Sequence, residues 1–226
     1  MRILLVSEPG VDGVFRHVEA LAHYLLARRH EVHLAYSDVR GSDRLKKLVA
    51  DVEAAGGRTL NLRVGNGPAP HDLPALAELH KMVRVVKPDV IHAHSSKAGA
   101  LVRALALTGI RRPVFYTPHA YFGMAGSGGA KTILFNAVER VLGRTGISIN
   151  LSDGEMAFAR QKLRIPAARL RLIPNPVDTH SFVPPAPEVK KRLRREIGVP
   201  EGAVLLGSVG RLAFQKDPAT LYRSLA

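Results

Sequence analysis

The feature that most constrains this chain is an alternation of short apolar runs with longer amphipathic stretches. The runs lie at residues 3–7, 31–36, 59–63, 90–94, 114–117, 147–151 and 170–173, and each reads as a strand. Between them, residues 14–29, 43–55, 73–86, 97–107, 131–142 and 154–163 read as helices. In the first of these, Val18, Leu21, Ala22, Leu25 and Leu26 fall on one stripe at i, i+3, i+4, i+7 spacing. Several strands are apolar nearly throughout, as expected where helices cover both faces of a parallel sheet. The expected fold is therefore α/β, a doubly wound, mainly parallel Rossmann-like sheet.

Composition bounds the rest. The 226 residues suffice for one large domain or for one domain and part of another. Lys and Arg number 33 against 19 acidic residues, a net charge of +14, which favours anionic partners. There is no cysteine, hence no disulfide, thiolate nucleophile or zinc–thiolate site. The N-terminal apolar run is too short for a signal peptide and no other run approaches membrane-spanning length, so the expected location is cytoplasmic, at most peripheral at a membrane. Aromatic residues make up 5% with no Trp, which gives few platforms for stacking bases and argues against nucleic acid as a partner.

In such a sheet ligands bind at the carboxyl ends of the strands, where this chain concentrates its unusual residues. The first strand leads into Glu8-Pro9-Gly10-Val11-Asp12-Gly13, with Arg16 and His17 close behind. The fourth leads into His92-Ala93-His94-Ser95-Ser96-Lys97, the fifth into Thr117-Pro118-His119-Ala120, and the sixth into Ser152-Asp153-Gly154-Glu155. The seventh leads into Pro174-Asn175-Pro176. Ser95 reads as a helix N-cap, with Lys97 as a contact for acceptor or phosphate in the alternative. Glu155 reads as an ordinary first-turn acid. His92 and His94 are read as projecting from opposite faces of their strand, which would leave no chelating pair, and no metal site is expected. The loop at residues 123–129 reads either as a mobile lid or as a plain connection.

After residue 183 the composition changes. Prolines punctuate the connector, a basic stretch runs from Lys190 to Arg195, and a further apolar run at residues 203–209 reads as a strand. It ends in Gly210-Arg211, with Lys216 before Asp217 and Pro218, an N-cap and first helical residue. Two cations beside a helix start make an anion cradle, or equally an ordinary turn with solvated charges. The domains are expected at residues 1–183 and 184–226.

Taken together, these loops resemble family 4 of the retaining glycosyltransferases, two-domain GT-B enzymes that use nucleotide-sugar donors. The resemblance rests on Asp12-Gly13 with Arg16-His17, Arg29-His30-Glu31-Val32, and Lys87-Pro88-Asp89-Val90-Ile91-His92-Ala93-His94. It rests also on Thr117-Pro118-His119, Ile173-Pro174-Asn175-Pro176-Val177-Asp178, and Val209-Gly210-Arg211 with Lys216. It implies that His119 is catalytic, facing the donor sugar, and that Gly13, Arg211 and Lys216 bind the donor diphosphate. Arg16, His17, Lys97 and Asn175 become candidate acceptor or donor contacts. The family often has two adjacent glycines where this chain has Asp12-Gly13. The resemblance places the family's acidic motif, two Glu separated by seven residues with glycine and phenylalanine nearby, well downstream in the second domain, past these 226 residues. The resemblance thus implies an N-terminal domain followed by the opening strand and helix of a truncated second one, inactive alone.

The implied reaction transfers a hexosyl unit from a nucleoside-diphosphate sugar to a hydroxyl of a glycan or lipid-linked glycan, with retention and without metal or other cofactor. A nucleotide-sugar epimerase of related fold and a non-enzymatic polyanion-binding module are the alternatives. The first would need cleft carboxylates, for which Asp153 and Glu155 are the only candidates.

Overall fold

The computed structural model describes all residues except 126–127, 211–215 and 226, and omits the side chains of residues 107 and 125. The chain forms two compact units, Met1–Asn175 and Pro176–Ala226. The first alternates β1 (Arg2–Ser7), α1 (Asp12–Ala27), β2 (Glu31–Tyr36), α2 (Asp43–Ala54), β3 (Thr59–Asn61), α3 (Asp72–Val86), β4 (Val90–His94) and α4 (Ser96–Leu105). It continues with β5 (Val114–Thr117), α5 (Ala130–Leu142), β6 (Ile147–Asn150), α6 (Asp153–Gln161) and β7 (Leu170–Leu172). Every expected strand and helix of this unit forms.

The seven strands make one sheet in the order β3-β2-β1-β4-β5-β6-β7, with all neighbours parallel. β4 is its middle strand and β1 lies beside it, and the side chains of β1 divide by the two-residue period of a strand. Leu4 and Val6 enter a cluster with Leu79, Met82 and Val83 of α3, Leu101 and Val102 of α4, and Ala159 of α6. Ile3 and Leu5 enter a second cluster with Phe15 and Val18 of α1 and Leu45, Leu48 and Val52 of α2. Both faces of the sheet are thus covered, which is why these strands read as continuous apolar runs.

Helix starts follow the cap chemistry. Ser42, Ser95 and Ser152 each accept a hydrogen bond from the backbone N–H three residues on. Under α4 lies a buried polar network. Arg103 donates from Nη1 to Glu139 Oε2 at 2.9 Å and stacks on the Tyr116 ring at 3.9 Å, while Tyr116 donates to Glu139 Oε1 at 2.9 Å. Gly99 is required beneath it: a Cβ there would stand 2.2 Å from the Tyr116 ring.

The second unit holds α7 (Pro187–Glu196) and α8 (Pro218–Arg223), with Asp217 capping α8 as its sequence predicts. The apolar run at residues 203–209 departs from expectation. It forms no strand, and Val204, Leu206 and Val209 are exposed. A strand exists only through ladder bonds to a neighbour, and among the described residues none pairs with it. The opening strand expected for a second domain is therefore not formed.

Candidate functional site

The order of the sheet reverses between β1 and β4, since chain direction leads to β2 and β3 on one side and to β5, β6 and β7 on the other. Doubly wound sheets bind ligands in the crevice at that reversal, beyond the strands' carboxyl ends. Here the crevice is built from the loop after β1, the first turns of α1, and the ends of β4 and β5.

The loop after β1 is fixed from below. Glu8 is buried and takes both donors of Arg40, at 2.9 and 2.6 Å. Gly10 donates its N–H to the Arg40 carbonyl at 2.9 Å and accepts from the Ser42 hydroxyl at 2.7 Å. Beyond it Asp12 adopts φ 65°, the left-handed region that favours glycine and that Asp tolerates better than most residues. Asp12 thus takes a conformation open to glycine without steric cost, at the place where the resemblance leads to an expected glycine. Gly13 follows, exposed, with open space where a side chain would project. Arg16 is exposed and has no described partner. His17 is half-buried and its Nδ1 lies 2.9 Å from Asn175 Oδ1, which joins two candidate residues far apart in sequence.

His94, at the end of β4, is fully buried, and its Nδ1 lies 3.3 Å from His119 Nε2. His92 packs on His94 with ring centroids 4.0 Å apart. The expectation that these two side chains face opposite ways is therefore wrong. Strand side chains alternate at each residue, so residues two apart share a face. Ser95 follows at φ 84°, a strained conformation that turns the chain sharply from β4 into α4.

His119 and Ala120 are consecutive left-handed residues, at φ 54° and 81°. That costly turn is held by Glu155, whose buried carboxylate accepts from the Ala120 N–H and the Leu151 N–H, both at 2.8 Å. The Ser152-x-x-Glu155 spacing announces a capping box, and Ser152 Oγ does accept from Glu155 N at 3.2 Å. What the sequence does not reveal is that the Glu155 carboxylate reaches across to the His119 loop. Glu155 is thus more than a first-turn acid.

Three imidazoles, those of His17, His94 and His119, converge with ligand atoms all within 4.8 Å of one another. Burial pushes the His119 pKa down to about 4 and that of His92 to about 3, with neighbouring imidazoles adding to the effect. His94 is held well below the usual range for the same reasons. His92, His94 and His119 are thus neutral at pH 7, able both to donate and to accept a hydrogen bond.

The other candidates fall elsewhere. Lys97 is buried, with its ammonium on the Asp72 carboxylate and the Gly67 carbonyl, so it is engaged in holding α3 to α4. Lys216 lies in the second unit and is exposed. Arg211 lies outside the described residues.

Fold and site define a doubly wound α/β domain with its ligand crevice at the β1/β4 reversal. The family model described as Glycosyltransferase Family 4 matches residues 11–181, and the chain belongs to that family. It is 27% identical over 150 residues to the Escherichia coli UDP-Gal:alpha-D-GlcNAc-diphosphoundecaprenol alpha-1,3-galactosyltransferase, a match covering 65% of this chain and 38% of that protein. Among solved structures it is similar to sucrose-phosphate synthase from Thermosynechococcus elongatus, with TM-score 0.72, 18% identity, all of this chain and 59% of the other. It is also similar to Anabaena HepE, solved in complex with UDP and glucose, with TM-score 0.60, 18% identity, 88% of this chain and 50% of the other. The chain thus spans well under two thirds of the length of these proteins, and the two structures show the GT-B-type fold. Among the described residues, no helix is long and apolar enough to cross a membrane.

Proposed function

We propose that this chain supplies the acceptor-side domain of a retaining, metal-independent glycosyltransferase, which moves a hexosyl unit from a nucleoside-diphosphate sugar to a hydroxyl of a glycan or lipid-linked glycan. The observation that carries this reading is the placement of His119. A strained turn, anchored by a buried carboxylate, presents a neutral imidazole at the reversal point of the sheet in a chain of this family.

In this reading His119 accepts a hydrogen bond from a donor-sugar hydroxyl and orients the anomeric carbon. Gly13 leaves room for the diphosphate against the N-terminus of α1, where backbone N–H groups and the helix dipole favour negative charge. Arg16 adds a cation nearby. Arg211 and Lys216 hold the leaving diphosphate when the two halves of the enzyme close, and stabilise the charge that develops on it. His17, fixed by Asn175, borders the acceptor. The E. coli relative is named for an α-1,3 linkage made from UDP-galactose, itself an α-glycoside, which supports retention and a lipid diphosphate acceptor. An epimerase would need a free carboxylate in the crevice, but Glu155 is committed to two backbone amides.

The domain works in the cytoplasm at a membrane surface, and α5 is the suitable face. Ile133, Leu134, Val138 and Val141 are exposed on it, beside Lys131, Arg140 and Arg144. Arg44 and Lys46 on α2 suit that role less well, being paired with Glu19 and Asp43.

Titration calorimetry with a GlcNAc-diphospho-lipid analogue, UDP, UDP-galactose and GDP-mannose tests the reading. The acceptor analogue is expected to bind, His17→Ala and His119→Ala each weakening it tenfold or more, while donors bind weakly and no transfer occurs with this chain alone. Absence of acceptor binding, or measurable transfer by these 226 residues, would overturn it.

A further inference from the structure

We propose that His17, His94 and His119 form a binding site for one divalent transition-metal ion of the zinc class. The three imidazoles come from three separate elements, α1, the end of β4 and the loop after β5, and their ligand atoms lie within 4.8 Å of one another. Their ring centroids are 5.0 to 5.5 Å apart, so they surround a common point and do not stack. The facing nitrogens of His94 and His119 are 3.3 Å apart. That separation is the edge of a tetrahedron whose metal–nitrogen bonds are 2.0–2.1 Å, roughly 3.3 Å by geometry. Closing a separation of up to 4.8 Å to that edge, a contraction of about 1.5 Å by the half-buried His17, would complete the triangle at such bond lengths.

The surroundings also suit a ligand set. Metal-bound histidines characteristically donate their other ring N–H to a carbonyl, which fixes the tautomer and aims the lone pair. His17 has that arrangement already, with Nδ1 on Asn175 Oδ1 at 2.9 Å leaving Nε2 for the ion. Three nitrogens with an open fourth position suit Zn²⁺, Co²⁺, Ni²⁺ or Cu²⁺, whereas Mg²⁺ and Ca²⁺ prefer oxygen. An ion there would occupy the lone pair that the glycosyl-transfer reading gives to the sugar. Inhibition by zinc therefore rests on that reading; binding does not.

The test is titration of ZnCl2 into the metal-free chain at pH 7.5, with Co²⁺ absorption as a second signal. One ion per chain is expected, with a dissociation constant below about 10 μM and the intense visible bands of four-coordinate Co²⁺. His17→Gln and His119→Gln, both at half-exposed positions, should each weaken binding more than tenfold with the thermal melt retained. Asn175→Ala should weaken it by roughly tenfold through the tautomer alone. Mg²⁺ should give no heat. Binding that survives both histidine substitutions places the ion elsewhere and overturns the proposal, as does any affinity weaker than about 100 μM.

Discussion

Acid should unfold the Met1–Asn175 unit well above the pH at which its carboxylates protonate, because three of its histidines are held neutral. In the unfolded chain each titrates near 6.5, whereas in the fold His119 titrates near 4, His92 near 3, and His94 well below its usual value. These are bases with depressed folded pKa values, so between the two limits the unfolded state binds more protons and stability falls as pH falls. The loss begins near pH 6.5 and continues down to about pH 4 for His119 and about pH 3 for His92. At pH 5 the unfolded chain carries about one extra proton at each of His92 and His119, so each costs about 2 kcal/mol relative to pH 7.5 and the two together about 4 kcal/mol, with His94 acting in the same direction. That is an upper figure, since His92 and His119 keep part of their surface in water. It still compares with the whole stability of an ordinary domain, about 5–15 kcal/mol. Urea melts at pH 7.5, 6 and 5 read the effect directly, with a limiting slope of about 3 kcal/mol per pH unit from His92 and His119. His119→Gln should lower that slope by about one proton. A stability that is flat from pH 7.5 to 5, or a slope the substitution leaves unchanged, would refute the reasoning.

Other perturbations test other parts of the molecule. Glu139→Leu strands the Arg103 guanidinium in the core, and urea melts should show a loss of about 3–5 kcal/mol. Gly99→Ala drives a Cβ into the Tyr116 ring and should cost about 1–3 kcal/mol. Because both disturb one network, the double variant should lose less than the sum, and strict additivity would argue that the contacts are independent. On α5, Ile133→Ser with Val141→Ser should reduce flotation with anionic lipid vesicles several-fold, and unchanged flotation would remove that helix from the membrane face.

The strands and helices of the first unit were legible because their signal is local. A parallel sheet buried on both faces writes each strand as a short apolar run, and the serines at 42, 95 and 152 stand where caps belong. The same rule misleads at residues 203–209, where apolarity is present but the partner strand is not. Strand character belongs to a pair, and one segment's composition carries half of it. His92 and His94 show a different gap. The His-Ala-His spacing itself puts both side chains on one face, so their convergence follows from elementary strand geometry and not from any long-range contact. What no spacing could give is the joining of His17 to Asn175, of Glu155 to the His119 turn, or of Arg103 to Glu139. Each pair is separated by tens of residues and meets only through the order of the sheet. The buried Lys97 makes the same point in reverse. Its place after a strand suggested a ligand contact, yet its charge is neutralised by Asp72 from a helix that sequence order sets earlier. In this chain the loops that end the strands announce where the site lies. Which of their charged groups remain available to a ligand is decided by the ion pairs that the fold forms first, and those depend on contacts that sequence separation hides.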